Sequence, residues 1–407
     1  MQPFDSPTEA AFRAKARSWL ASHAEPLPID RVAPSAIIAE WTPEEEEEKL
    51  AEAQEWQRLK FDAGWAGISW PRTVGGRGGS VMEDLIFRDE EATFDVPHDA
   101  LGVGIGWCGP AVLQHGSTDQ HARLLPDLLR GDEIWCQLFS EPGAGSDLAG
   151  LKTRATRDGD EWVLNGQKTW TTFAQHSDWG LCVARHDADL PKHRGLSAFI
   201  VDMASPGIEV RPVKQMTGSQ NFNEVFLSDV RVSDEDRIGD VGEGWGVVIT
   251  TFLWERVNLL AGGERILGGL QEFIKARGRE AAPEIRDRFI DLYIRAETIR
   301  FSTMRLLTAV SQGGLPGPEG STLKLAATAT LSDIYELALD VMGPEAMLAA
   351  DVAPGGGEWH AGFLGMPGLR VGGGTDQIQR NIIGDRVLGL PPDIRVDKDL
   401  PFREVPG

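Results

Sequence analysis

Cysteine is scarce. Cys108, Cys136 and Cys182 are widely spaced and odd in number. They form no metal motif and no disulfide framework, which points to a reducing cytoplasm and to no metal. Long apolar runs are missing as well: none approaches the roughly 20 residues that span a bilayer, and the opening residues lack the basic-then-apolar pattern of a secretory leader. Positive charge is in deficit, with 40 Lys and Arg against 62 Asp and Glu, a formal net charge of -22. Such a surface disfavours nucleic acid and anionic membranes. It still permits an anionic cofactor, because helix N-termini and local arginines bind anions. Gly75-Gly76-Arg77-Gly78-Gly79 lacks the Lys-Ser or Lys-Thr of a phosphate loop, which argues against a nucleotide role there. No repeat at solenoid spacing is present.

What is present is a change of period along 407 residues, enough for two or three domains. Ser6-Pro7-Thr8-Glu9 opens a helix toward Leu20, and residues 24 to 36 read as a proline-rich loop. Thr42-Pro43-Glu44-Glu45 is a capping box, and its acidic run through Glu48 reads as a solvated helix start. Met82 to Phe94 and Ala111 to Leu129 read as helices, with Gly131 stopping the second. Short strands are predicted at Leu181-Cys182-Val183-Ala184, Ser197 to Val201, Ile208 to Arg211 and Glu224 to Leu227. Helical patterns return over 245 to 276, 284 to 312, 321 to 342 and 376 to 388, with 353 to 374 read as loop. The resulting class is α+β multidomain: an α-helical domain over 1–133, a β domain over 134–240 and an α-helical domain over 241–407.

The most informative stretch is 136 to 172. Ser140-Glu141-Pro142-Gly143-Ala144-Gly145-Ser146-Asp147 is a loop whose glycines let the backbone approach a ligand. Asn165-Gly166 carries the strongest short hairpin signal, and Asp158-Gly159 marks another turn. Ser140, Ser146, Thr171 and Thr172 add hydroxyls.

The pair E-P-G-A-G-S-D and N-G-x-K-x-W-x-T, at this spacing, resembles the flavin-binding signature of acyl-CoA dehydrogenases. The likeness runs from about Glu45 to Pro391. It implies a barrel-like middle domain, a C-terminal four-helix bundle and FAD between them. It also implies oxidation of an acyl-CoA thioester to the trans-2-enoyl-CoA, with electrons passed to an electron-transfer flavoprotein. By the same resemblance Gln137, Leu138, Ser140, Gly145, Ser146, Trp170 and Thr172 fall at cofactor-binding positions, as do Thr375 and Gln377 near the flavin's pyrophosphate and adenosine. Ser146, Arg256 and Gly373 fall at substrate-contacting positions.

The base needs separate treatment. In the medium- and short-chain branches a glutamate sits just before G-T; here Gly373 holds that place in Gly372-Gly373-Gly374-Thr375-Asp376-Gln377. Phe252-Leu253-Trp254-Glu255-Arg256 resembles the helix that supplies the base in the isovaleryl and long-chain branches. Helical spacing puts Glu255 on a face with Phe252, Leu259, Gly262, Gly263 and Ile266, where a raised carboxyl pKa is expected. Glu255 is therefore the expected catalytic residue. Two features of the family's flavin-tail site are altered: no phenylalanine follows Arg277, and Asp340-Val341-Met342-Gly343-Pro344 replaces Q-x-x-G-G. A homotetramer or homodimer is expected, with a heteromer open. A non-catalytic partner subunit and a flavin monooxygenase of the same fold are the alternative readings.

Overall fold

The computed structural model describes residues 5–27, 41–97, 100–259, 263–311, 317–348, 352–394 and 396–405. Helices come first: α1 (Pro7–Ala21), α2 (Pro43–Asp62), α3 (Val81–Glu91), α4 (Gly109–His115) and α5 (Thr118–Arg130). Ser6, Thr42 and Ser80 each close a capping box with a glutamate three residues on. The single helix expected over 111 to 129 is two. Gly116 is extended, and Ser117 with Gln120 caps a new start. Gly131 does end α5, in the left-handed region at φ 80°.

A β region follows: β1 (Trp135–Leu138), β2 (Arg154–Asp158), β3 (Glu161–Thr172), β4 (Trp179–Arg185), β5 (Leu196–Asp202), β6 (Ile208–Val213), β7 (Phe222–Ser233) and β8 (Arg237–Ile238). They form one sheet in the order β6-β7-β3-β2-β4-β5-β8, with β1 parallel to β4. Along β4, Leu181 and Val183 point to a core shared with Leu124, Leu128 and Val247 of the helices. Cys182 and Ala184 point the other way, into a core with Trp162, Leu164, Phe199, Val225 and Val230. Residues of both ends of the sheet thus meet in one interior, which is why the sheet curls like a barrel. Burial on both faces also explains why β4 and β5 read as nearly unbroken apolar runs.

Asn165-Gly166 makes no hairpin. It lies inside β3, where the register against β7 shifts between Leu164 and Gly166. A Cβ on Gly166 would collide with Thr153, so the glycine serves close backbone approach. Asn165 instead trades hydrogen bonds of 3.0 and 3.1 Å with Asp229. The turn joining β2 to β3 is the one at Gly159, φ 64°.

Helices return with α6 (Gly244–Leu259), α7 (Gly263–Ala276), α8 (Pro283–Ser311), α9 (Gly320–Met342), α10 (Glu358–Val371) and α11 (Asp376–Ile382). Leu270, Ile274, Leu292, Ile334, Leu337, Val341, Trp359 and Met366 build one core from α7, α8, α9 and α10. The helix expected over 245 to 276 is divided between α6 and α7, so Ile266 does not share a helix with Glu255. Gly262, the side chain of Leu259, and most of the expected 24 to 36 loop lie outside the described residues.

Two further expectations change. The loop read at 353 to 374 contains α10. Its glycines misled the reading, because Gly362 packs directly on the buried Tyr335 ring and tertiary contact outweighs propensity. The acidic run of α2 is not wholly solvated: Glu46 is 3% exposed and its carboxylate meets Gln175 and, at 2.8 Å, His176. Alanine ordinarily improves a helix interior, yet Gly362→Ala is expected to destabilise by about 1–3 kcal/mol through overpacking against Tyr335. An unchanged or raised denaturant midpoint would count against that contact.

Candidate active site

The signature loop is fixed by an ion pair within the motif itself. Lys168 on β3 is fully buried, and its ammonium donates to the Phe139 carbonyl at 3.0 Å, Glu141 Oε1 at 2.9 Å and the Val183 carbonyl at 2.8 Å. All three donors are used, which is what makes a buried ammonium tolerable. Glu141 also accepts from the Lys152 and Thr153 N–H groups at 2.6 and 2.8 Å. Burial alone would raise the Glu141 carboxyl; the Lys168 charge and these bonds outweigh it and hold the group below its ordinary range. Neither residue was singled out from sequence, although both stand inside the two motifs.

This anchor sets the neighbouring positions. The Ser140 carbonyl accepts from the Thr169 N–H at 2.9 Å, one residue before Trp170. Trp170 is not a core aromatic. It is 60% exposed, sits in the left-handed region at φ 58°, and stands edge-on to Phe222 with centroids 5.8 Å apart. A non-glycine residue rarely adopts that conformation, and Trp170 does so where the β3–β7 register shifts after Lys168. Thr172 is buried beside Thr171, whose hydroxyl is buried without a hydrogen-bond partner. Leu138 turns its side chain into the inner core, so only its backbone faces the loop side. Gln137 pairs with Leu181 and is half-buried, while Gly145 and Ser146 are exposed at the loop tip.

Glu255 lies on α6 and is 7% exposed. Phe252, one turn earlier, packs edge-on against Phe139 at 6.0 Å, joining α6 to the signature loop. Burial pushes the Glu255 carboxyl up to about 7; the charges of Arg256 and Lys324, and the nearby Gly373 N–H, partly oppose the shift. Cys108 is another neighbour: its thiol is raised by burial first and by the charges of Cys136 and Glu255 after that. Arg256 is lowered by burial, and its buried Nε has no hydrogen-bond partner.

Thr375 caps α11, accepting from the Ile378 N–H at 3.1 Å, and Gln377 is exposed in the first turn. The loop residue Ser140 is held against β3 one residue from Trp170, and Arg256 and Gly373 are neighbours of Glu255; the Phe139–Phe252 contact links the signature loop to α6. At the altered tail positions Arg277 pairs with Glu345, and Asp340 pairs with Arg288 at 2.6 Å. Sequence reading missed Lys324, buried on α9 among Leu323, Ala327 and Thr328. A lone lysine on an apolar helix face was the available signal.

The chain resembles known proteins along most of its length. The chain matches the N-terminal domain of acyl-CoA dehydrogenases over residues 6–132, the middle domain over 136–230 and the C-terminal domain over 242–388. Acyl-CoA dehydrogenase IpdE1 of Mycobacterium tuberculosis is 35% identical over 392 residues, 94% of this chain and 98% of that protein. Acyl-CoA dehydrogenase FadE34 of the same organism is 40% identical over 335 residues, 81% of this chain but 45% of FadE34, so this chain spans about half of that longer relative. Among solved structures, a Tcur3481-Tcur3483 steroid ACAD superposes with TM-score 0.80 at 26% identity, covering 97% of this chain and 100% of that one. The ChsE4-ChsE5 complex from Mycobacterium tuberculosis gives TM-score 0.79 at 30% identity over 97% of this chain and 100% of that one. The chain belongs to the acyl-CoA dehydrogenase family, a class of FAD-dependent oxidoreductases. Its residues fit a flavin: the exposed Trp170 indole, held in the left-handed region, is followed by Thr171, whose buried hydroxyl has no partner, and the Ser140 carbonyl is anchored by the Thr169 N–H. Among the described residues no helix is long and apolar enough to cross a membrane.

Removing one partner of the buried pair leaves an uncompensated charge. Lys168→Met is expected to destabilise by about 3–5 kcal/mol and to open the signature loop to proteolysis. An unaltered denaturant midpoint would contradict the anchoring role.

Proposed function

We propose that this chain converts a saturated acyl-CoA thioester to the trans-2-enoyl-CoA with Glu255 as the base. The observation that carries this reading is the Glu255 carboxyl itself, buried on α6 one turn beyond the Phe252 ring that packs on Phe139 of the signature loop, and raised by that burial. Glu255 as a carboxylate takes the α-proton, and a group poised near working pH suits that transfer. With substrate between them, the Gly373 N–H donates to the thioester oxygen and stabilises the charge that develops there. Glycine suffices at that position because the donor is the backbone. Ser140, Trp170 and Thr172 would hold the flavin ring, which when bound would supply the acceptor for the β-hydride. Arg256, with an unused buried donor, turns toward the acyl-CoA, and Ser146 toward its CoA part. Thr375 and Gln377 approach the flavin's pyrophosphate end.

The substrate is a bulky, ring-bearing acyl-CoA. Its support is the likeness to a protein described as a steroid ACAD. Electrons leave to an electron-transfer flavoprotein. The chain works as an oligomer, and a second chain, identical or distinct, completes the adenine end. Arg277 and Asp340 are engaged with Glu345 and Arg288 within this chain, and the ChsE4-ChsE5 relative is a complex.

Single-turnover flavin reduction is expected to fall by about 10²–10⁴-fold in Glu255→Gln. Near-normal reduction would remove Glu255 from the role. Because the ionised form is the active one, kcat/KM of the native enzyme should rise with pH through a midpoint near 7. That rise should be absent from the residual activity of Glu255→Gln; its persistence there would assign the ionisation to another group.

A further inference from the structure

The turn that faces Glu255 is held from behind by two buried polar side chains. Gly373 and Gly374 both lie in the left-handed region, at φ 64° and 90°. Gln379 of α11, fully buried, donates to the Gly373 and Gly374 carbonyls, each at 3.0 Å. Lys324 of α9, 1% exposed, donates to the Gly374 carbonyl at 2.9 Å and the Arg370 carbonyl at 3.2 Å. The Gly373 and Gly374 carbonyls are thus gripped from behind, and the Gly373 N–H is among the groups that act on the Glu255 carboxyl. A buried ammonium is costly, and here both of its hydrogen bonds go to carbonyls flanking Gly373. Asp376 Oδ1 stands 3.8 Å from Lys324 Nζ with no hydrogen-bond partner, while Oδ2 is taken by Arg370 at 2.7–2.8 Å.

We infer that Lys324 is a positioning residue for the base: it fixes the Gly372–Thr375 turn so that the Gly373 N–H is aimed at Glu255, and it places a positive charge beside that carboxylate. The inference rests on the reading of Glu255 as base. The charged and titratable groups around the pair are Arg256 on α6, Cys108 before α4, Asp376 on α11 and Arg370 on α10. Lys324 is itself lowered by burial, against the charges of Asp376 and Glu255, with Arg256 and Arg370 adding to the lowering. Asp376 therefore tempers the positive field that Glu255 experiences.

Two substitutions should move the ionisation of Glu255 in opposite directions. Lys324→Met removes a positive neighbour, and the midpoint should rise by roughly one unit. Asp376→Asn leaves Lys324 and Arg370 uncompensated, and the midpoint should fall. A role confined to packing would lower stability or rate at every pH and move neither midpoint. The holoenzyme is read in two ways. One is the pH dependence of single-turnover flavin reduction. The other is the pH-difference infrared band of a protonated carboxyl, assigned by its loss in Glu255→Gln. Unmoved midpoints in both variants, or shifts of the same sign, overturn the inference. Should Lys324→Met fail to fold, Asp376→Asn decides alone, and any result other than a downward shift overturns it. If Glu255→Gln still reduces flavin normally, the base reading fails instead. If Glu255→Gln is inactive and the midpoints stay fixed, only the role of Lys324 fails.

Discussion

The proposed role of Glu255 as base depends on the desolvation of its carboxyl. An exposed glutamate ionises near 4.3 and is too weak a base for a carbon acid. Glu255 differs because α6 carries it under the sheet and against the bundle, where water is largely excluded. Each nearby donor or cation lowers the proton affinity that burial raises, and the balance lands near neutrality. Burial without Arg256, Lys324 and the Gly373 N–H would push the carboxyl higher still. A solvent-facing residue would be ionised and inert. The fold's task is to hold the middle course.

Two rigid assemblies make that possible. On the sheet side, the Glu141–Lys168 pair ties β1, β3 and β4 to the signature loop, and Phe139 passes the fixed geometry to Phe252. The C-terminal tail adds a brace: Phe402 lies 3.5 Å from the Arg185 guanidinium, and Lys192 bridges Asp147 and Asp397 at 3.0 and 3.4 Å. On the bundle side, α9 and α11 clamp the glycine turn. Trp170, where β3 breaks register, and Phe173, just past its end, both hold left-handed backbone.

The helical, β and helical sections were legible because their periods differ. The signature stretch was legible because its residue types are chemically specific. Other parts were not, for identifiable reasons. Asn165-Gly166 has the chemistry of a turn, but tertiary packing against Thr153 used the glycine for close approach. The helix α10 has a loop's composition and folds because Trp359, Ala361 and Met366 bury against α9. Glu46 looked like one more acid in a solvated run, and only the spatial position of His176 shows otherwise. Glu255 was found by likeness, since its environment draws on Lys324 and Gly373, which lie far along the sequence from it. Lys324 belongs with these, because a sequence does not reveal which carbonyls a buried ammonium will meet.

The most direct test of the central claim separates proton removal from hydride transfer. An acyl-CoA analogue with sulfur in place of the β-carbon has no hydride to give, so only the α-proton can exchange. Incubated with the holoenzyme in heavy water, that analogue should gain deuterium at the α-carbon when followed by NMR, and Glu255→Gln should leave it unlabelled. Equal deuterium uptake by the native enzyme and Glu255→Gln would contradict the account.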